Sequence, residues 1–418
     1  MVTALLIALA CTGDDPLEVA PLSREALLDP ASCAECHPDH YREWSGSMHA
    51  YAAVNPIMDA MIALGERETG APMAADCAPC HAPMAAPLGL LDDLDGLGGL
   101  DELPASASGV TCFWCHSASV ADDGVLRGGI EDPLFTGAHE SAYSSLHDRG
   151  EYASVDLCGS CHIETLFEWQ SSIFAEGSGT LTCGECHMDG VDGVAAATEG
   201  APGRRVHGHG MPGLSLALTE HPERDAQREG VLDELDSSLL AELCVMPDES
   251  VSLVQVTLEN IAAGHRWSSS SRDRRAWVEV VAWDSAGAVI WSTGAAGDDQ
   301  PLSGLDDPEL WMIGFQMVDE GGEPVYMPWR AEGFGGETLP PSDLQSNASH
   351  VSRAWRIHDA LPDRVSLRVR VRPVALDVGA ILVEEGELAP EIAAALPTLE
   401  VEATHLEWTA DLGSACVP

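Results

Sequence analysis

Two rhythms divide the chain. From about residue 245 apolar and polar positions alternate in short runs: "VSLVQVTL" (251–258), "AWVEVVAWD" (276–284), "AVIWST" (288–293), "RVSLRVRVRPVAL" (364–376) and "TLEVEATHLEW" (398–408). A period of two, rich in β-branched and aromatic residues and broken by Gly, Pro and Asp, predicts half-buried antiparallel strands. Their number and spacing suit a β-sandwich over residues 245–418. The stretch 216–244 is charged with helical spacing and reads as a connector. Residues 31–215 show neither rhythm for long; they predict short helices and loops with little sheet. The fold class that follows is α+β, a mainly helical and loop domain ahead of an antiparallel sandwich. "LGLLDDLDGLGGLDELPASASG" (88–109) is acidic and punctuated by glycine, as a surface excursion would be.

One short run resists this reading. In "HESAYSSLH" (139–147), His139, Tyr143 and His147 fall on one helical stripe at i, i+4 and i+8. A stripe usually faces a core, which suits tyrosine better than two imidazoles.

Charge narrows the partners. The 418 residues carry 68 acidic side chains against 20 basic ones, a formal charge of −48, and no lysine at all. That excludes a non-specific nucleic-acid binder and argues against docking on anionic lipid. It suits a very soluble protein or one with basic partners. The first residues, "MVTALLIALACTGDD", form an apolar run too short to span a bilayer. "ALAC" (8–11) resembles a bacterial lipobox whose cysteine is lipidated, although Ala8 stands where leucine is usual. Residues 1–30 then form a signal remnant and linker, with Cys11 either the lipid anchor and only membrane attachment or part of a plain cleaved signal, the former favoured.

Thirteen cysteines are many for an ordinary cytosolic enzyme without a metal. Ten of them fall in five copies of Cys-x-x-Cys-His: Cys33–Cys36–His37, Cys77–Cys80–His81, Cys112–Cys115–His116, Cys158–Cys161–His162 and Cys183–Cys186–His187. At these residue frequencies chance would supply far less than one. Zinc knuckles and thioredoxin-like pairs lack the trailing histidine in such a series. The motif is a c-type haem attachment site: two thiols form thioethers to one macrocycle edge, and the adjacent histidine ligates iron. The expectation is five covalently bound haem c groups over residues 31–215, with the haems themselves serving as the core. Such attachment happens outside the cytoplasm, in the periplasm or at the cell surface. Cys244 and Cys416 bracket the strand-rich half, either joined by a disulfide or left as two free thiols.

A haem that only moves electrons usually has both axial positions filled, whereas one that does chemistry keeps one open. Sixteen histidines minus five motif histidines leave a pool of candidate distal ligands. His49 lies in a helix-like stretch just after the first motif. His139 and His147 form the stripe, and eight residues of helix span about 12 Å, so one helix could cap two haems. His207 and His209 sit in "RRVHGHGMPG", read as a glycine-rich loop able to approach a porphyrin closely. His40 is too near His37 to reach over the same ring but could serve a neighbour. His221, His350, His358 and His405 read as exposed or structural. Met48, Met58, Met61, Met73, Met84 and Met211 rank below the histidines, since methionines at helical spacing mostly pack.

The stretches "CAECHPDHYREWSGSMHAYA", "SGVTCFWCH" and "DLCGSCHIETL" resemble a family of bacterial multihaem c-type cytochromes. Its haem part is related to the tetrahaem electron carrier of ammonia oxidisers and, distantly, to hydroxylamine oxidoreductase. The resemblance implies that His49, in the Ser-x-His-Ala setting, is a distal ligand. "NIAAGHRWSSSSRDRRAWVEVVAWDSAGAVIWSTG" (260–294) is similar to the Gly-His-x-x-Pro-Thr-Gly and Arg-Arg-x-Trp strand pattern that follows the haems in many such proteins, with serines in place of Pro-Thr-Gly. There the recurring histidine falls on His265, either a haem ligand or a buried structural residue.

Three functions are open on these grounds. The first is an electron carrier with mostly bis-histidine haems and no catalytic residue, docking redox partners that present basic surfaces. The second is an oxidoreductase acting on a small nitrogen or sulfur compound at one five-coordinate haem. The pentahaem nitrite reductases typically place lysine at that motif, which this chain lacks. The third makes the β-half an assembly module.

Overall fold

The computed structural model describes residues 23–91, 99–120, 126–128, 155–175, 180–197, 199–268, 272–342 and 350–418. It divides into two compact units whose segments interleave: 1–163, 181–212 and 219–227 in the first, 164–180, 213–218 and 228–418 in the second. The sequence suggested consecutive domains. The units instead alternate along the chain.

The first unit is built from short, sharply capped helices: α1 (Arg24–Leu28), α2 (Pro30–Cys33), α3 (Pro38–Ser45), α4 (Met48–Tyr51), α5 (Pro56–Thr69), α6 (Met73–His81), α7 (Cys112–Ser117), α8 (Val155–Gly159) and, after α9 (Ile163–Trp169) has led into the second unit, α10 (Cys183–His187). Ser23, Asp29, Ser47 and Asn55 cap α1, α2, α4 and α5 by accepting backbone N–H bonds, and proline opens α2, α3 and α5. Two hairpins complete it, β1 (Ala118–Val120) with β2 (Leu126–Gly128) and β3 (Gly190–Val194) with β4 (Gly203–His207).

An apolar cluster does form here, against the expectation that the haems alone make the core. Leu27, Leu28, Ile62, Met84, Phe113 and Trp114 pack with six alanines, whose small side chains let short helices approach closely. Leu100, Leu103 and Ala107 belong to the cluster, so the far end of 88–109 folds inward because its leucines recur at helical spacing.

The second unit is an antiparallel sandwich. One sheet runs β10 (Pro324–Val325), β9 (Trp311–Val318), β7 (Arg275–Trp283), β13 (Arg364–Arg372), β14 (Leu399–Thr409), with β8 (Val289–Thr293) on β7 and β11 (Gly333–Glu337) on β9. The other runs β12 (His350–His358), β6 (Val251–Asn260), β5 (Leu239–Met246), β15 (Ala415–Val417). Alternating residues of both sheets (Val254, Val256 and Leu258 from one; Val278, Val280, Val369 and Val371 from the other) share one core. Of the stretch expected to connect, 216–218 and 228–244 become part of this unit while 219–227 belongs to the first. α11 (Arg224–Ser238) buries Val231 and Leu235 in the same core, and residues 239–246 form β5 because Leu239, Ala241, Leu243 and Val245 alternate inward. Cys244 and Cys416 stand directly opposite on β5 and β15 and are joined by a disulfide.

Among the described residues no helix is long and apolar enough to cross a membrane.

Candidate haem-binding site

All five thiol–imidazole motifs lie in the first unit, each on or at the edge of a single helical turn. The first closes α2, with His37 N–H donating to Cys33 O at 2.8 Å. The second ends α6 and the third opens α7. The fourth runs off α8, with His162 N–H donating to Cys158 O at 2.9 Å. The fifth is the whole of α10, held by a capping box between Thr182 and Glu185. Residues three apart share a helix face, so each turn presents two thiols together with an imidazole beside them. That donor set fits a c-type haem.

The motif imidazoles are oriented by backbone carbonyls. Nδ1 of His37 donates to Ala195 O at 2.6 Å, that of His81 to Ala52 O at 3.2 Å and that of His187 to Pro212 O at 2.9 Å. Committing Nδ1 as a donor makes Nε2 the nitrogen that carries the lone pair and fixes the ring plane, as ligating histidines require. No residue type marks a backbone carbonyl as a partner, so sequence reasoning missed these contacts.

Three further imidazoles lie about 6 Å from motif imidazoles: His40 is 5.9 Å from His37, only three residues away in sequence, and two others come from distant parts of the chain. His49 and His162 have ring centroids 6.3 Å apart with planes at 80°. His116 and His209 stand 6.4 Å apart with planes at 6°. Two imidazole nitrogens each about 2 Å from a shared metal, with ring centres about 1 Å behind them, put the centroids about 6 Å apart. Both candidates are held neutral, as a ligand must be. Burial, reinforced by His162 and His187, pushes His49 down to about 4. Burial, with His40 and His116 adding to it, pushes His209 down to about 3. His81 and His162 are also lowered, chiefly by burial.

α3 cradles His209. His40 stacks on its ring at 4.5 Å, and Glu43 Oε2 accepts its backbone N–H at 2.9 Å. His207 closes β4, with Nδ1 donating to Met188 O at 2.8 Å. The segment read as a glycine-rich loop is therefore half strand, because residues 203–207 pair with 190–194; the loop starts at Gly208. His221, expected to be exposed, is half-buried against Tyr51, with Nε2 at 3.3 Å from Ser47 O. His265 belongs to the second unit, where its Nδ1 lies 3.2 Å from Arg266 O. His350, His358 and His405 are exposed, the last between Glu400 and Glu402. Met84 is fully buried in the apolar cluster, with Met58 and Met73 packed on it. Cys11, His139 and His147 lie outside the described residues.

Thiols of different motifs also meet. Cys33 hydrogen-bonds to Cys112, Cys80 to Cys161 and Cys158 to Cys183. In each pair one thiol keeps the proton and its neighbour accepts, so Cys80 is raised and Cys161 lowered, and likewise Cys158 raised and Cys183 lowered. Burial pushes Cys115 up to about 12, with Cys161 adding to it.

Residues 32–117 match the family model described as "Cytochrome c554 and c-prime". No curated protein matches the chain. The fold is similar to that of a penta-heme cytochrome c552 from Thermochromatium tepidum, with a TM-score of 0.59 and 21% identity over 93% of this chain and 99% of that one. At that identity the likeness is one of fold. The matched model over residues 32–117 and the repeated thiol–imidazole turns together support a multihaem c-type cytochrome with covalently bound haem c.

Proposed function

We propose that the chain is a pentahaem electron carrier with one haem c at each Cys-x-x-Cys-His turn, working outside the cytoplasm. The two facing imidazole pairs carry this reading: His49 with His162 and His209 with His116, each at the separation of a shared axial metal. When bound, each haem c supplies iron that exchanges one electron. The chain's own residues do the rest. His37, His81, His116, His162 and His187 offer proximal nitrogens, three of them braced by carbonyls. His49 and His209, kept neutral by burial, offer distal nitrogens and deny those positions to water or substrate.

The thiol contacts give the motifs an order. The first lies against the third, the second against the fourth and the fourth against the fifth. Cys115 of the third senses Cys161 of the fourth, so the fourth touches the second, third and fifth and the five motifs form one connected, branched network. Electrons entering at any one haem can reach the others through the fourth. The acidic surface steers redox partners with basic docking faces, and a lipid on Cys11 holds the protein to a bacterial membrane.

Haem quantitation with low-temperature EPR of the oxidised protein tests this. Five haems with low-spin signals at the third and fourth, each lost to a high-spin signal on His209→Ala and His49→Ala respectively, is the expected result. A parent protein with fewer haems overturns the count. A high-spin haem that binds nitrite or hydroxylamine overturns the carrier reading in favour of catalysis on a small nitrogen compound.

A further inference from the structure

The helix that carries His49 cannot hold itself. α4 has four residues, Met48–Tyr51, fewer than a helix needs to form a stable nucleus. The two carbonyls just ahead of it and its tyrosine are instead met by the segment Thr219–Gln227. Gln227 Nε2 donates to Gly46 O at 2.8 Å, and His221 Nε2 lies 3.3 Å from Ser47 O. Tyr51 Oη lies 2.8 Å from Thr219 Oγ1 and accepts the Thr219 backbone N–H at 3.1 Å. The His221 ring stands edge-on to Tyr51 at 4.9 Å. Arg42 and Glu223 pair at 3.2 Å on the outside. The approach is so close that a Cβ on Gly46 would sit 2.6 Å from Glu223 Cβ. Ser47 and Tyr51, on either side of His49, are each only 1% exposed.

We infer that Thr219–Gln227 is a positioning strap for His49, with His221 and the Tyr51 hydroxyl as its two fastening points. The inference rests on the reading of His49 as a distal ligand. The strap holds both ends of α4, so the His49 ring keeps its 6.3 Å separation from His162. Without it the short helix keeps its own Ser47 cap and the bond from Val110 N–H to His49 O, but loses the ties at Gly46, Ser47 and Tyr51, and the imidazole gains freedom to leave its axial position.

Three variants of the haem-loaded protein test it: Tyr51→Phe, which removes only a hydroxyl, His221→Ala, and His221→Gln, which restores an N–H donor. Tyr51→Phe and His221→Ala are expected to convert part of one low-spin EPR signal to high-spin and to let the ferrous protein bind carbon monoxide at one haem. His221→Gln is expected to stay close to the parent. The other haem signals and the melting temperature report whether each variant has folded. If His49→Ala gives a high-spin haem while folded Tyr51→Phe and His221→Ala keep the parent spectrum, the strap is overturned and the ligand reading stands. If His49→Ala itself stays low-spin, the ligand reading fails and the strap falls with it.

Discussion

Gly109 presses its backbone onto His49. Its φ is +74°, and a Cβ there would stand 2.5 Å from the His49 carbonyl oxygen and 2.9 Å from that of Ala50. The approach lets Val110 N–H donate to His49 O at 2.9 Å while Val110 O accepts from Trp44 Nε1 at 2.8 Å. The loop before the third motif is thereby laced to the helix that carries His49. Gly109→Ala has to adopt a left-handed conformation costing about 1–3 kcal/mol and must also push two carbonyls away. Gly89 shares the conformation, at φ +70°, but has nothing within 4 Å. Thermal melts should show Gly109→Ala losing clearly more stability than Gly89→Ala, together with a change in the haem spectrum that Gly89→Ala lacks. Equal losses would mean the contact with His49 is not what fixes this loop.

Much of this was legible before any coordinates. The motifs declare themselves because thioether attachment needs two thiols and an imidazole at fixed spacing, and the strands declare themselves because one face of each is buried. His49 drew notice through its sequence setting and His209 through its glycine-rich surroundings, and both lie beside motif imidazoles. The bracing of His37, His81 and His187 was not, since Ala195, Ala52 and Pro212 act through carbonyls that every residue possesses. Nor was His221, whose polar neighbours in sequence suggest solvent while its partners Ser47 and Tyr51 lie some 170 positions away. Domain borders failed for a related reason. Val231 and Leu235 look like two apolar residues on a charged helix until the sandwich they fill is known.

The disulfide makes its own prediction. Cys244 and Cys416 are 172 residues apart in sequence yet sit on neighbouring strands with Cα atoms 3.9 Å apart. Closing so long a loop removes much of the unfolded chain's freedom, worth roughly 4–5 kcal/mol on the chain-entropy account. Cys416→Ser, or a reductant that opens this bond, is expected to lower the denaturant midpoint of the sandwich by a corresponding amount. The haem absorbance should stay unchanged below that midpoint. An unaltered midpoint would show that the short strand β15 holds without the bond.

Buried arginines on the outer face of the larger sheet, beneath the loop after β8, form a clamp. Arg370 and Arg372 project from β13 with their guanidinium carbons 5.0 and 4.9 Å from the Trp277 ring centre. Arg370 is only 2% exposed and pairs with Glu279 at 3.3 Å and with Asp298. Arg372 donates to the carbonyls of Gly297 and Gln300, both at 2.8 Å. The two thus hold the loop after β8 onto the sheet. Removing Arg370 leaves Glu279 buried beside Arg368 alone, and breaking one partner of a buried pair typically costs about 3–5 kcal/mol. Arg370→Ala should therefore lower urea stability by several-fold more than Arg364→Ala, whose pair with Glu407 at 3.2 Å is exposed. Similar losses in the two would argue that the interior pair adds nothing beyond a surface one.

Asp59 ties stability to pH in the first unit. Its Oδ1 is buried without a hydrogen-bond partner, and a Cβ on Gly99 would lie 3.4 Å from it and 3.0 Å from Asp101 Oδ1, so the two carboxyls share one pocket wall. Burial, with the Asp101 charge adding to it, raises Asp59 to about 7 from an ordinary 3.8. The folded state then holds a proton that the unfolded chain releases near pH 4. Its stabilising contribution is complete below that pH and is lost as pH climbs through about 7. Asp59→Asn keeps the shape and cannot ionise. Melting curves at several pH values should find the variant a few degrees more stable than the parent at pH 8, with the difference shrinking towards zero near pH 4. A difference that stays constant across this range would mean Asp59 does not change its protonation between folded and unfolded chains.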